Sequence, residues 1–185
     1  MKIVCLGWGS LIWDPRDLKI KKGGWKEDGP RLPIELNRIS TDKRITLVID
    51  KDTGTEVNVL WTLMSVDDLP DAKESLRIRE GTTLKNIHSV SKLQSSKSLT
   101  DIQLIVFEWL KSTDYDCAIW TGLSYKNNEG EEKSMTYEYI KNHLSSLTCI
   151  EAKLAERYIR KTAKQIRTKY RDRLEAELGW TPIEQ

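Results

Sequence analysis

Two short stretches carry residue types and spacings that could do chemistry. The first is Leu6-Gly7-Trp8-Gly9-Ser10-Leu11, which follows the apolar run Ile3-Val4-Cys5. Its glycines let the backbone turn sharply and leave N–H groups uncovered, which suits the turn to holding an anion. The same residues also fit a core strand that ends in a plain glycine turn. A dinucleotide fingerprint would need a third glycine where Ile12 stands, and a P-loop would need a Gly-Lys-Ser/Thr run that is absent. The second stretch is Leu76-Arg77-Ile78-Arg79-Glu80-Gly81. Glu80 lies four residues after Leu76 at the last turn of a helix, so it projects toward the apolar face. The negative end of the helix dipole and partial burial would both disfavour its charged form, a property useful in a general base that later returns its proton. The alternative is a helix-end glutamate paired with Arg77 or Arg79.

Other catalytic equipment is sparse. His88 and His143 stand alone, and Cys5, Cys117 and Cys149 are far apart with no Cys-x-x-Cys pair. That argues against a zinc site, a disulfide framework, and Ser-His-Asp or Cys-His catalysis. Catalysis would then rest on carboxylates. The 30 basic and 28 acidic side chains leave a formal charge of +2, too balanced to create a strong field for nucleic acid or membranes. No run of about 20 apolar residues and no signal-peptide cleavage pattern occurs, so the expectation is a cytoplasmic protein with no membrane span. Seven tryptophans stand against one phenylalanine, and several adjoin glycine, proline or strand patterns where a ring could line a cleft or fill the core.

The elements that must position these residues follow from periodicity and punctuation. A chain of 185 residues fits a single domain, 1–185. Residues 17–31 read as a surface loop carrying Trp25. Residues 33–39, 44–50 and 56–64 read as strands, the last two joined as a hairpin through Gly54. A helix follows with Asp67 or Asp68 as N-cap, Pro70 in its first turn, Leu69, Ala72 and Leu76 inward, and an end near Gly81. Residues 91–100 are serine-rich and read as a mobile connector, residues 102–110 and 117–125 as further strands, and residues 126–134 as a charged loop. From about residue 135 the chain reads as helical, first over 137–147. A long amphipathic helix is then expected over 149–178, closed by Gly179. Its basic side, from Arg157 through Arg173, offers a second reading as an RNA-binding face, although acidic residues interrupt it and no stacking platform accompanies it.

The glycine turn, the segment Ser40-Thr41-Asp42-Lys43-Arg44 and the stretch ending in Glu80, in this order and spacing, resemble three motifs of the gamma-glutamylcyclotransferase-like family. The likeness is nearest to its ChaC-type, glutathione-degrading branch and covers about the first half of the chain. Members of that branch carry a Tyr-Gly-Ser-Leu turn, a Ser-Thr-Asp-His-Arg segment and a Leu-Asp-x-Arg-Glu stretch with a catalytic glutamate. Here Trp8 replaces the tyrosine, Lys43 the histidine and Arg77 the aspartate.

The resemblance implies an α+β fold: a small mixed, mainly antiparallel β-barrel with helices around it and the substrate cavity at one end. It implies a cofactor-independent cyclotransferase in which the free amine of a gamma-glutamyl group attacks its own side-chain carbonyl. The products would be 5-oxoproline and a free amine or peptide, with glutathione as one possible substrate. Glu80 would be the catalytic base and acid, and Leu6, Gly7, Trp8, Gly9, Ser10, Leu11 and Thr41 would bind the small-molecule substrate. Trp8 and Trp13 would wall it from water. A non-catalytic relative that binds a small gamma-glutamyl-like ligand, or RNA through the basic helix, is the alternative.

Overall fold

The apolar run after Lys2 forms β1 (Ile3–Gly7), which is buried along its whole length. Such strands belong inside a sheet covered on both faces. The computed structural model, which describes residues 1–183, has β1 at an inner position of a four-stranded sheet. The remaining strands are β2 (Arg31–Ile39), β3 (Ile45–Ile49), β4 (Thr55–Asn58), β5 (Leu60–Leu63), β6 (Ile87–Ser91) and β7 (Cys117–Thr121). The helices are α1 (Leu69–Glu80), α2 (Asp101–Lys111), α3 (Tyr137–Ser145), α4 (Cys149–Lys161) and α5 (Lys169–Leu178).

The chain folds as two compact units, each assembled from separated segments. Met1–Gly7, Asp14–Leu32 and Asn58–Gly122 make one, and Trp8–Trp13, Pro33–Val57 and the residues from Leu123 onward make the other.

In the first unit β1 pairs antiparallel with β5 and parallel with β7, and β7 pairs antiparallel with β6. Helix α1 packs against β7 and β6, as does α2. The ends of α1 follow the reading of the sequence. Asp68 accepts a hydrogen bond from the backbone N–H of Asp71, and Gly81 takes a left-handed conformation at φ 60°. Residues 102–110 correct that reading, because they form α2 and not a strand. Their β-branched and aromatic content suggested β structure, but Ile102, Val106 and Leu110 are buried at helical spacing. Thr100 and Gln103 form a reciprocal capping box, which starts the helix by satisfying donors that its first turn leaves open.

The second unit holds a three-stranded sheet ordered β3-β2-β4. The expected hairpin between β3 and β4 is absent, because β2 lies between them. Burial shows why residues 56–64 are not one strand. Val57 and Val59 are buried, and then Leu60, Thr62 and Met64, so the alternation slips by one residue at Val59. A one-residue slip moves every later side chain to the opposite face, and β4 and β5 belong to different sheets. Neither sheet closes on itself, so two open sheets stand where a barrel was expected.

The turn after β3 is organised by Asp50, which is fully buried. Its carboxylate accepts hydrogen bonds from the Asn37 amide, the Tyr125 hydroxyl, the Thr53 hydroxyl and the backbone N–H groups of Asp52 and Thr53. Burial alone would raise its pKa, but the donors from Thr53, Asn37 and Tyr125 outweigh it and hold the carboxyl below the usual range. The stability this supplies is present above the unfolded value of about 4 and is lost as pH falls through the depressed folded value. Asp50→Asn is expected to flatten that acid limb in thermal midpoints recorded from about pH 6 down to about pH 2. A limb of unchanged slope would overturn this account.

The expected single long C-terminal helix is two helices, α4 and α5. No glycine or proline interrupts residues 149–178, so the break has another cause. The guanidinium of Arg171, whose residue is 2% exposed, donates to the carbonyls of Thr162, Ala163 and Ile166 at 2.7 Å each. Thr168 then caps α5 by accepting from the Arg171 N–H. Burial lowers the pKa of Arg171 to about 10, with the Arg167 charge acting in the same direction. Among the described residues no helix is long and apolar enough to cross a membrane.

Candidate active site

Glu80, Leu6 and Gly7 belong to the first unit, and Trp8, Gly9, Ser10, Leu11 and Thr41 to the second. In the first unit Glu80 ends α1 with its side chain 16% exposed, turned largely inward as the spacing from Leu76 predicts. Its carboxylate accepts a hydrogen bond from Arg79 Nη1. Arg79 is fixed in turn, because its Nε and Nη2 donate to the backbone carbonyl of Asp14 at 3.1 and 2.7 Å. Arg77 points elsewhere and forms a two-bond pair with Glu74. Of the two arginines that could pair with Glu80, the buried one does so.

The charge of Glu80 is felt on β1. The buried thiol of Cys5 is pushed well above its usual range, first by burial and then by the Glu80 carboxylate, with Arg79 opposing. A thiol in that state is a neutral packing group, not a nucleophile. Leu6 and Gly7 lie in the ladder opposite Trp61 and Leu60, so the turn itself starts at Trp8.

In the second unit the turn Trp8–Trp13 is closed by a hydrogen bond from the Ile12 N–H to the Gly9 carbonyl, 3.1 Å. Trp8 is buried and its indole N–H donates to the Leu47 carbonyl at 3.2 Å. The Leu47 N–H donates to the hydroxyl of Tyr158, on α4, also at 3.2 Å. Tyr158 is the organising residue here. Trp13 meets its ring edge-on at a centroid distance of 5.5 Å, and the guanidinium carbon of Arg44 lies 5.6 Å from the ring centroid. A Cβ on Gly9 would fall 2.5 Å from the Tyr158 hydroxyl oxygen. Gly9 is therefore required by close approach, where the sequence suggested conformational freedom.

Gly9→Ala is expected to lower stability by about 1–3 kcal/mol, because the hydroxyl is held by Leu47 and yields only by breaking that bond. Urea midpoints measure the loss, and adding Tyr158→Phe should restore part of it. A Gly9→Ala midpoint equal to wild type would refute the steric explanation.

Tyr158 also connects the glycine turn with the Ser40–Arg44 segment. Arg44 Nη2 pairs with Asp42 Oδ2 at 2.7 Å, and the Ser40 hydroxyl donates to the other Asp42 oxygen. Burial would raise the Asp42 pKa, but the bonds from Arg44 and Ser40 hold it below the usual range. Thr41 lies exposed in this turn, two residues before Lys43, which takes a positive φ of 66°. The buried His143 ring bonds the Lys43 carbonyl at 2.8 Å and supports that strained backbone.

No family model, no characterised protein and no solved structure matches this chain.

Three participants escaped the reading of the sequence. Tyr158 was one of several residues on an apolar helix stripe, and nothing local marks its hydroxyl. Arg44 stood in a recognised segment without a role. The Asp14 carbonyl that orients Arg79 carries no side-chain signal at all. Among the described residues no group of three His, Cys, Asp or Glu side chains is arranged to hold a metal ion.

Proposed function

We propose that this chain is a gamma-glutamyl cyclotransferase that cleaves a gamma-glutamyl amide or peptide. The observation that carries the reading is Glu80: a mostly buried carboxylate at the end of α1, held by a guanidinium that a backbone carbonyl anchors. It stands at the catalytic position of a three-motif pattern. The convergence of the other two motifs on Tyr158 is a second support.

In this mechanism Glu80 takes a proton from the alpha-ammonium of the substrate and so makes a nucleophilic amine. A C–N bond forms between that nitrogen and the side-chain carbonyl carbon. The bond from that carbon to the leaving nitrogen breaks, the proton held by Glu80 goes to the departing amine, and the second proton that the attacking nitrogen sheds on becoming an amide passes by the same carboxylate to that amine, which leaves as an ammonium. Holding amine and carbonyl in attack geometry is worth about 7 kcal/mol or more in favourable intramolecular cases. The family's barrel-derived fold belongs to the same proposal; its support is the mixed sheet with β1 inside it and the glycine turn directly following.

The RNA reading loses its main support in the ion pairing of α4 and α5. Arg160 pairs with Glu156, Arg167 with Asp172 and Glu175, and Arg173 with Glu138 and Glu177. Arg171 spends its guanidinium on carbonyls. These pairs take up charge that a phosphate-binding face would need.

The test is mass-spectrometric detection of 5-oxoproline after the protein meets glutathione, gamma-glutamyl amines and gamma-glutamyl dipeptides. The expected result is 5-oxoproline with one amine in equal amount. Failure with every substrate would refute the proposal and favour a ligand-binding role.

A further inference from the structure

We propose that Trp61, Trp109 and Tyr115 of the first unit, with Asp28 and Asp114 beside them, form an aromatic cage that binds the trimethylammonium group of a small molecule. The cage is separate from the Glu80 site. In the ladder between β1 and β5, Cys5 stands opposite Thr62 and Leu6 opposite Trp61. Successive side chains of a strand point to opposite faces, and Cys5 is the residue that feels the Glu80 charge. Trp61 therefore projects from the other face of the sheet.

Three elements supply the rings. Trp61 comes from β5, Trp109 from the last turn of α2 and Tyr115 from the turn that follows α2. The Trp61 ring lies 4.7 Å from that of Tyr115 and 6.3 Å from that of Trp109, centroid to centroid, with interplanar angles of 54° and 57°. All three residues are half-buried, so part of each ring stays open. The indoles are locked by their polar edges. The Trp61 N–H donates to a carboxylate oxygen of Asp28 at 2.8 Å, and the Trp109 N–H donates to the Asp28 backbone carbonyl at 3.0 Å. The segment carrying Asp28 is itself tied to β5 by two backbone bonds between Lys26 and Trp61, 2.7 and 3.0 Å. With the indole N–H groups so engaged, the ring faces are what remains for a ligand.

Charge selects the ligand. An aromatic face attracts a cation within about 6 Å of its centroid. Asp28 and Asp114 are exposed carboxylates that act at the same place, since the Tyr115 hydroxyl is pushed above its usual range first by burial and then by their two charges. Lys111 is engaged elsewhere, paired with Glu108 and lying over Phe107. A trimethylammonium suits such a place better than a primary ammonium, because it has no N–H to leave without an acceptor and its methyl groups pack on the rings. Exposed Lys26 borders the cage and disfavours a lysine-rich peptide more than a single small cation.

The test uses the full chain, with binding followed by calorimetry and tryptophan fluorescence. The probes are choline and its uncharged isostere, which has a tert-butyl group in place of the trimethylammonium. Wild-type protein is expected to bind choline with a Kd of about 10 mM or lower, and the isostere about tenfold more weakly or worse. Trp109→Leu should weaken choline binding about tenfold, with Trp109→Phe falling between. Asp114→Asn alters an exposed charge and should weaken choline alone, a selective loss that misfolding cannot mimic. Glu80→Gln should bind choline as wild type does, which separates this site from the chemistry proposed above. Absence of choline binding, equal affinity for the two probes, or wild-type affinity in Trp109→Leu would overturn the cage. A trimethyllysine peptide bound about tenfold more tightly than choline would overturn the assignment to a small molecule.

Discussion

Glu80→Gln is expected to reduce 5-oxoproline formation by about 10²- to 10⁴-fold, the range associated with loss of a positioned general base. Glutamine keeps the size of the side chain and an acceptor oxygen for Arg79, but it cannot take the ammonium proton. The loss should therefore fall on kcat, with KM little changed, since an interaction is removed from the transition state and not from the bound substrate. Arg79 retains its anchor on the Asp14 carbonyl, so the thermal midpoint should shift little. Product measured by mass spectrometry under single-turnover conditions gives the decisive readout. A variant that turns over at the wild-type rate removes Glu80 from the chemistry, whatever else the protein does.

Arg171→Met is expected to cost about 3–5 kcal/mol of stability, the largest structural effect among the substitutions considered. Methionine fills part of the volume but leaves the carbonyls of Thr162, Ala163 and Ile166 without their donors. Thr162 and Ile166 are themselves buried, so water is poorly placed to replace the guanidinium. Urea unfolding should show a lower midpoint, and Arg171→Lys should lie between, because one ammonium cannot reproduce the planar fork. A loss under about 1 kcal/mol would mean that the connection between α4 and α5 is held by other contacts.

These two residues differ in how visible they were in the chain. Glu80 could be located because the whole of α1 is written locally: an aspartate cap, a proline in the first turn, apolar residues at helical spacing and a terminal glycine. Its orientation followed from Leu76. Arg171 could not be recognised, since it was one arginine among many and its work is done across a turn, on carbonyls that carry no signature. The same distinction explains α2. There the cap was present in Thr100 and Gln103, but β-branched composition outweighed it in the reading. The slip at Val59 was visible only in burial, because valine followed by leucine reads as an uninterrupted strand.

The candidate site divides along the same line. Its motif residues are contiguous and could be found by spacing, whereas Tyr158 reaches the glycine turn from α4 through tertiary folding alone. Gly9 showed the need for a small residue, but its cause, a hydroxyl from a distant helix, lay outside any local pattern.

The position of Leu47 has a consequence for solubility. β3 is an outer strand of its sheet, and its outward N–H and C=O groups would ordinarily offer a template for another chain. At Leu47 both groups are occupied, one by the Tyr158 hydroxyl and the other by the Trp8 indole. The tryptophan in the proposed substrate turn is thus also a guard against intermolecular strand pairing. Trimming Trp8 would free the Leu47 carbonyl on this outer strand, so a change in the turn is coupled to exposure of the sheet edge.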